Sequence, residues 1–224
     1  MSKNAVADEV YHKHFRVAIF GSARIKVNEP AYDEVYKLAH MLGSQNIDVV
    51  TGGGTGIMQA ACKGHQDGRK SNKSYSIGLN IDIPAIQKPN RYLDIKKDFN
   101  RFSKRLDTFM VLSNAVVVAP GGVGTLLEFT YTWQLIQVKH ICNIPIILLG
   151  DMWNEFLKWI EKYPLKKGFI EKKDLIRIFI AKDSFEAFRI IKKFYEGYKE
   201  GADICINFKK YKVEMDSLLD GEKL

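Results

Sequence analysis

Pro120-Gly121-Gly122-Val123-Gly124-Thr125-Leu126-Leu127-Glu128 follows directly on Ala115-Val116-Val117-Val118-Ala119. The shorter stretch is dominated by β-branched residues, as in a strand buried on both faces. Beyond the glycines, Leu126, Leu127, Phe129, Trp133 and Ile136 recur at the spacing of a packed helix. The order is therefore strand, glycine turn, helix. Glycines in such a turn let the backbone approach a ligand closely, and the free N–H groups at the helix start can bind an anion. Glu128 falls one turn into the helix, beside those donors.

The same order recurs upstream. Arg16-Val17-Ala18-Ile19-Phe20 reads as a first strand, ending at Gly21-Ser22-Ala23-Arg24. A helix is signalled from Pro30, which suits a first turn, by Tyr32, Val35, Leu38 and Leu42. Ile47 to Thr51 forms a second strand, followed at once by Gly52-Gly53-Gly54-Thr55-Gly56-Ile57-Met58 and a helix from Gln59 to His65. This is the parallel, doubly wound pattern, in which ligands collect outside the carboxyl ends of the strands. The expected fold is α/β: one doubly wound, Rossmann-like domain with a mostly parallel central sheet flanked by helices. Neither G-x-G-x-x-G nor G-x-x-x-x-G-K-[ST] occurs, so neither NAD binding nor ATP hydrolysis follows.

Farther along, Tyr75 to Leu79 reads as a strand, Asn80 to Asn90 as a loop, and Tyr92 to Ile95 as a short strand. A helix is expected from Asp98 to about Ser113. Its apolar stripe is Phe99, Phe102, Leu106, Phe109 and Met110, with Arg101, Arg105 and Thr108 on another face. Arg101 and Arg105 are four apart, so both can point the same way. Ile144 to Leu149 and Arg177 to Ala181 read as further strands, with a helix carrying Trp153 and Ile160 between them. Asp183 or Ser184 suits the N-cap of a last helix through about Tyr198. The expected organisation is a polar lead-in over 1–14, one domain over 15–198 and a polar tail over 199–224.

A chain of 224 residues can bury a proper core as one domain. Its net charge of +8 allows two readings, solubility or attraction of anionic ligands. No zinc-finger spacing, RGG-like tract or ribonucleoprotein signature accompanies the lysines, so nucleic acid is not an expected partner. The longest apolar runs are strand-sized, which leaves no membrane span. Cys62, Cys142 and Cys205 are far apart and form no C-x-x-C pair. That argues against a disulfide framework or a zinc site and fits a reducing cytoplasm. His65 and His140 are expected on ordinary helix or loop surface.

A single glycine turn is sufficiently explained as a tight strand–helix connection. Two matched turns at the carboxyl ends of strands in one sheet can instead share a crevice, with Glu128 and Arg105 nearby. Taken singly, Arg105 could be a structural ion-pair partner and Glu128 a solvated first-turn acid.

The Gly52–Met58 and Pro120–Glu128 runs together resemble the LOG (Lonely Guy) family, over roughly residues 15–195. Its members are nucleoside 5′-monophosphate phosphoribohydrolases, long labelled "possible lysine decarboxylase". The family also carries an Arg-Lys pair on the helix before the motif strand. Here Arg105 takes the arginine position, and Leu106 stands where the lysine would be. The resemblance implies hydrolysis of an N-glycosidic bond in an AMP-like nucleotide or a cytokinin riboside 5′-monophosphate. Glu128 would stabilise positive charge at C1′ and orient the attacking water, while Arg105 would hold Glu128 ionised and aimed. Gly121, Gly122, Gly124 and Thr125 would cradle the 5′-phosphate. Gly53, Gly54 and Thr55 would complete the ribose-phosphate site, and Ser22 would line the nucleotide. No metal or organic cofactor is implied, and a homodimer or larger homo-oligomer is. The alternative is a non-catalytic carrier or sensor of a phosphorylated ligand, as in molybdenum-cofactor carriers.

Overall fold

The computed structural model describes residues 14–71, 73–82 and 89–200. Nearly all of the expected lead-in and tail, and the middle of the Asn80–Asn90 loop, therefore lie outside the described residues.

Seven strands form one parallel sheet in the order β4-β3-β2-β1-β5-β6-β7. They are β1 (Arg16–Phe20), β2 (Asp48–Thr51), β3 (Ser76–Ile81), β4 (Ile95–Phe99), β5 (Ala115–Val118), β6 (Ile146–Leu149) and β7 (Ile178–Ala181). Six α-helices are described: α1 (Pro30–Ser44), α2 (Ile57–Gly68), α3 (Phe102–Leu112), α4 (Val123–Gln137), α5 (Met152–Ile160) and α6 (Ser184–Lys199). None of the described helices is long and apolar enough to cross a membrane.

Side chains alternate across a strand, so each strand feeds two cores. Val17 and Ile19 of β1 join Val35 and Leu38 of α1, Ala60 of α2 and Ile191 of α6 on one face. Ala18 and Phe20 join Phe109 of α3, Phe129 of α4 and Trp153 of α5 on the other. Central strands covered on both faces leave little room for polar side chains, which is why Val17–Phe20 of β1, β5 and β6 read as continuous apolar runs.

The chain winds outward from β1 to β4, then crosses back to place β5 on the other side of β1. The β1–β5 boundary is the switch point at which an open parallel sheet leaves a crevice beyond its strand ends. Both the Gly21–Arg24 loop and the Pro120–Glu128 run start there.

Three expectations need correction. The fourth strand is Ile95–Phe99 rather than Tyr92–Ile95, and α3 begins at Phe102 rather than Asp98. Ile95, Lys97 and Phe99 alternate with Lys96 and Asp98, a period of two that suits an edge strand charged against further pairing. Asp98 accordingly pairs with Lys96 at 2.8 Å instead of opening a helix. His65 is not a surface residue. It is fully buried, with Nδ1 2.8 Å from the Ser76 hydroxyl and Nε2 3.0 Å from the Ile47 carbonyl. A carbonyl only accepts, so Nε2 carries the proton, and burial pushes the pKa down to about 4. With the Asp48–Arg16 ion pair at 3.2 Å, it sits at the amino ends of the strands, away from the crevice.

Candidate active site

At the crevice, the backbone of Ser22 joins the two glycine turns. Its N–H donates to the Pro120 carbonyl at 3.0 Å, and its carbonyl accepts from the Ile57 N–H at 3.0 Å. The Ser22 hydroxyl accepts from the Arg24 N–H at 3.1 Å, and the Thr55 hydroxyl donates to the Ala23 carbonyl at 2.9 Å. Ser22 and Thr55 are therefore brought to the site, and both side chains already help to hold its loops.

The two turns differ in what they offer a ligand. A Cβ added at Gly122 or Gly124 would meet nothing within 4 Å, and α4 has no side-chain cap at Gly122. The first turn of a helix leaves N–H groups without intrahelical partners, so this open end presents donors to an anion. Gly121 is closed on its own side by Thr125, whose buried hydroxyl would collide with a Cβ there. The Gly52–Gly56 turn faces inward instead. Gly53 donates its N–H to Thr51 Oγ1 at 3.0 Å, and Gly54 donates to Met58 Sδ at 3.4 Å. Gly53 also takes φ +75°, and a Cβ on it would strike Asn80 Oδ1, so only glycine suits this point.

Between the turns lies an ion pair. Arg105 Nη2 is 3.1 Å from Glu128 Oε1, with side chains only 10% and 12% exposed. Three contacts orient the guanidinium. Nε donates to the Leu79 carbonyl at 2.7 Å, the group lies 5.1 Å from the centre of the Phe109 ring, and Nη2 rests against Gly52. Arg101, at the N-cap of α3, is exposed and does not share this environment. Leu106 is buried.

Glu128 titrates differently from what a neighbouring arginine alone implies. Burial disfavours the carboxylate more than Arg105 favours it, and the pKa is pushed up to about 7. The group is thus poised to exchange a proton near neutrality, a property of general acid–base residues. No group of three or more His, Cys, Asp or Glu side chains among the described residues could hold a metal ion. Cys62 is a buried free thiol.

Sequence reasoning missed three parts of the site: Gly52 as the surface under Arg105, the Leu79 carbonyl, and Asn90. Asn90 is buried and bonded to the first glycine turn. No local pattern marks any of them, because each acts on residues distant in the chain.

The family model described as "possible lysine decarboxylase" matches residues 57–191, more than half of the chain. The pyrimidine/purine nucleotide 5′-monophosphate nucleosidase of Escherichia coli strain K12 is 30% identical over 154 residues, covering 66% of this chain and 34% of that protein. The chain spans about a third of the length of the curated relatives it matches. Among solved structures, the molybdenum cofactor binding protein of Rippkaea orientalis has a TM-score of 0.62 at 17% identity. It covers 82% of this chain and 99% of that one. The molybdenum cofactor carrier protein of Chlamydomonas reinhardtii has a TM-score of 0.60 at 18% identity, with the same coverage. At such identities the likeness is one of fold alone. The matched span holds both the helix that carries Arg105 and the turn that leads to Glu128, and the chain belongs to the LOG family.

Proposed function

We propose that this protein hydrolyses the N-glycosidic bond of a nucleoside 5′-monophosphate, releasing a free base and ribose 5-phosphate. The observation that carries this reading is the buried Glu128–Arg105 pair, one turn inside a helix whose uncapped glycine end is open to an anion. The nucleosidase named among the relatives supports it.

In this reading the N–H groups at Gly122 to Thr125 hold the 5′-phosphate, and its binding energy fixes the ribose against Glu128. As the bond from C1′ to the base nitrogen breaks, the electron pair leaves with the base and positive charge grows on C1′ and the ring oxygen. The Glu128 carboxylate stabilises that charge and takes a proton from the attacking water, whose oxygen bonds to C1′. The proton that Glu128 takes from water passes to the departing base nitrogen, so water is divided between sugar (OH) and base (H) and Glu128 returns to its carboxylate. Arg105 limits how far burial raises the Glu128 pKa and fixes the direction of the carboxylate.

Glu128 works here as a base, so kcat/KM is expected to rise with pH through about 7 and level off above it. A profile flat from pH 5 to 9 would contradict the role. The function itself is tested by incubating the protein with AMP, GMP, CMP, IMP and UMP and following free base by chromatography. Release of base supports the reading, and no release from any of them, nor from a prenylated AMP, removes it.

The same reading includes a homo-oligomer. Leu127 of α4 and Val138, the residue that caps it, are exposed apolar residues, and Val123 is 84% exposed. Light scattering coupled to gel filtration is expected to give at least twice the monomer mass of 25.6 kDa. A monomer at micromolar concentration would overturn it.

A further inference from the structure

The Gly52–Gly56 turn points the N–H groups of Gly53 and Gly54 inward, which leaves open what it contributes to the site. Its outer side answers. A Cβ on Gly52 would lie 2.5 Å from Arg105 Nη2 and 2.8 Å from Met58 Sδ, so the guanidinium nitrogen that pairs with Glu128 rests directly on this backbone. If the turn shifts, the arginine shifts with it.

Asn90 holds the turn from the other side. Its Nδ2 donates to the carbonyls of Gly53 at 3.1 Å and Gly54 at 3.0 Å, and lies 3.7 Å from Cys62 Sγ. Its main-chain N–H donates to the Gly53 carbonyl at 2.9 Å. Its Oδ1 accepts from the Tyr92 N–H at 3.0 Å, so both ends of the carboxamide are in use. Below it, Thr51 Oγ1 accepts from the Gly53 N–H and lies 3.5 Å from Cys62 Sγ. Asn90 is 9% exposed, and the carbonyls it serves have no easy substitute in water.

We propose that Asn90 is a positioning residue: its carboxamide locks the Gly52–Gly56 turn in the shape that seats Arg105 against Glu128. The proposal rests on the hydrolase reading of the site, and it gives the first turn a role in aiming the ion pair rather than in binding phosphate. Asn90 touches no reacting atom. It acts through Gly53 and Gly54 on Gly52, and through Gly52 on Arg105.

Asn90→Asp is the nearest substitution in shape. It keeps the acceptor for Tyr92 but turns an oxygen toward two carbonyl oxygens. Two measurements report on it. The first is the ¹⁵N Nε–H resonance of Arg105, which the Leu79 carbonyl protects and which Arg105→Lys identifies by its loss. The second is steady-state turnover together with inhibition by ribose 5-phosphate, which probes the phosphate cradle without the base. In Asn90→Asp the resonance is expected to shift or broaden, and kcat to fall about 10²-fold. Inhibition by ribose 5-phosphate should stay within about twofold of wild type. An unmoved resonance, an unmoved kcat, or inhibition that weakens in step with turnover would each overturn the proposal. The last result would return Gly53 and Gly54 to the phosphate site. Should Asn90→Asp not fold, Asn90→Ser removes the carboxamide from the Gly53 and Gly54 carbonyls without a new charge, and the same outcomes decide. If wild-type protein releases base from no nucleotide, the hydrolase reading fails, and the Arg105 resonance still decides whether Asn90 sets the arginine.

Discussion

Glu128→Gln is expected to lower kcat about 10³-fold while ribose 5-phosphate still binds with near wild-type affinity. Glutamine keeps the shape and still accepts a hydrogen bond from Arg105, but it can neither carry negative charge toward C1′ nor take a proton from water. The phosphate donors, on the exposed end of α4, are left untouched. Retained turnover would remove Glu128 from the chemistry, and loss of product binding would make it a structural residue.

The same variant has a thermodynamic signature. The Glu128 pKa is about 7 in the folded protein and near the ordinary 4.5 when unfolded. Between those values the folded state holds a proton that the unfolded state lacks, so stability declines as pH rises through this window. A shift of this size corresponds to about 3 kcal/mol between pH 4 and pH 8. Glu128→Gln lacks that titration. Its stability relative to wild type is therefore expected to improve as pH rises, by chemical denaturation at pH 5 and pH 8. A pH-independent difference would show that the carboxyl is not held protonated by its surroundings.

The second large effect is expected in Arg105→Met. Methionine preserves a packed stem over Phe109 but leaves Glu128 without its cation and the Leu79 carbonyl without its donor. Arg105 is the influence that lowers the Glu128 pKa, so its removal moves that pKa above 7. At pH 7 kcat is expected to fall about 10²-fold, with part of the loss recovered at pH 9 as the carboxyl ionises. The unfilled carbonyl should cost about 1–3 kcal/mol of stability. Arg105→Lys keeps the charge without the fork of donors and should fall between Met and wild type. An acid limb that stays in place in Arg105→Met would mean that the ion pair does not tune Glu128.

Much of this was legible in the residues. Strands buried on both faces announce themselves as runs such as Ala115–Ala119 and Ile146–Leu149, because a central parallel strand has no solvent side to keep polar. Two strand–glycine–helix units then place both turns at one end of the sheet. The edge was harder to read. In Ile95–Phe99 the pattern is diluted by two lysines and an aspartate, and Asp98 carries a helix-start signal that tertiary pairing overrides.

For the candidate site, the PGGVGT run and Glu128 pointed to one half, and the helix ahead of β5 suggested Arg105. The protonation of Glu128 was not legible. An adjacent arginine argues for a lowered pKa, and the outcome turns on burial, which belongs to the folded chain. The internal bonding of the first glycine turn was hidden for a related reason. Its composition promises anion-binding donors, but the Gly53 and Gly54 N–H groups turn to Thr51 and Met58, and Asn90 reaches it from 36 or 37 residues away. His65 illustrates the same limit, since only the assembled sheet shows that its ring bridges Ser76 and Ile47.

The most direct measurement of the central claim is the stoichiometry of products from purified wild-type and Glu128→Gln protein, each incubated with the five common nucleoside monophosphates. Wild type should yield free base and ribose 5-phosphate in equal amounts from at least one of them, and Glu128→Gln should yield neither above background. No base from wild type, or equal release by both proteins, would contradict a hydrolase built on Glu128 and Arg105.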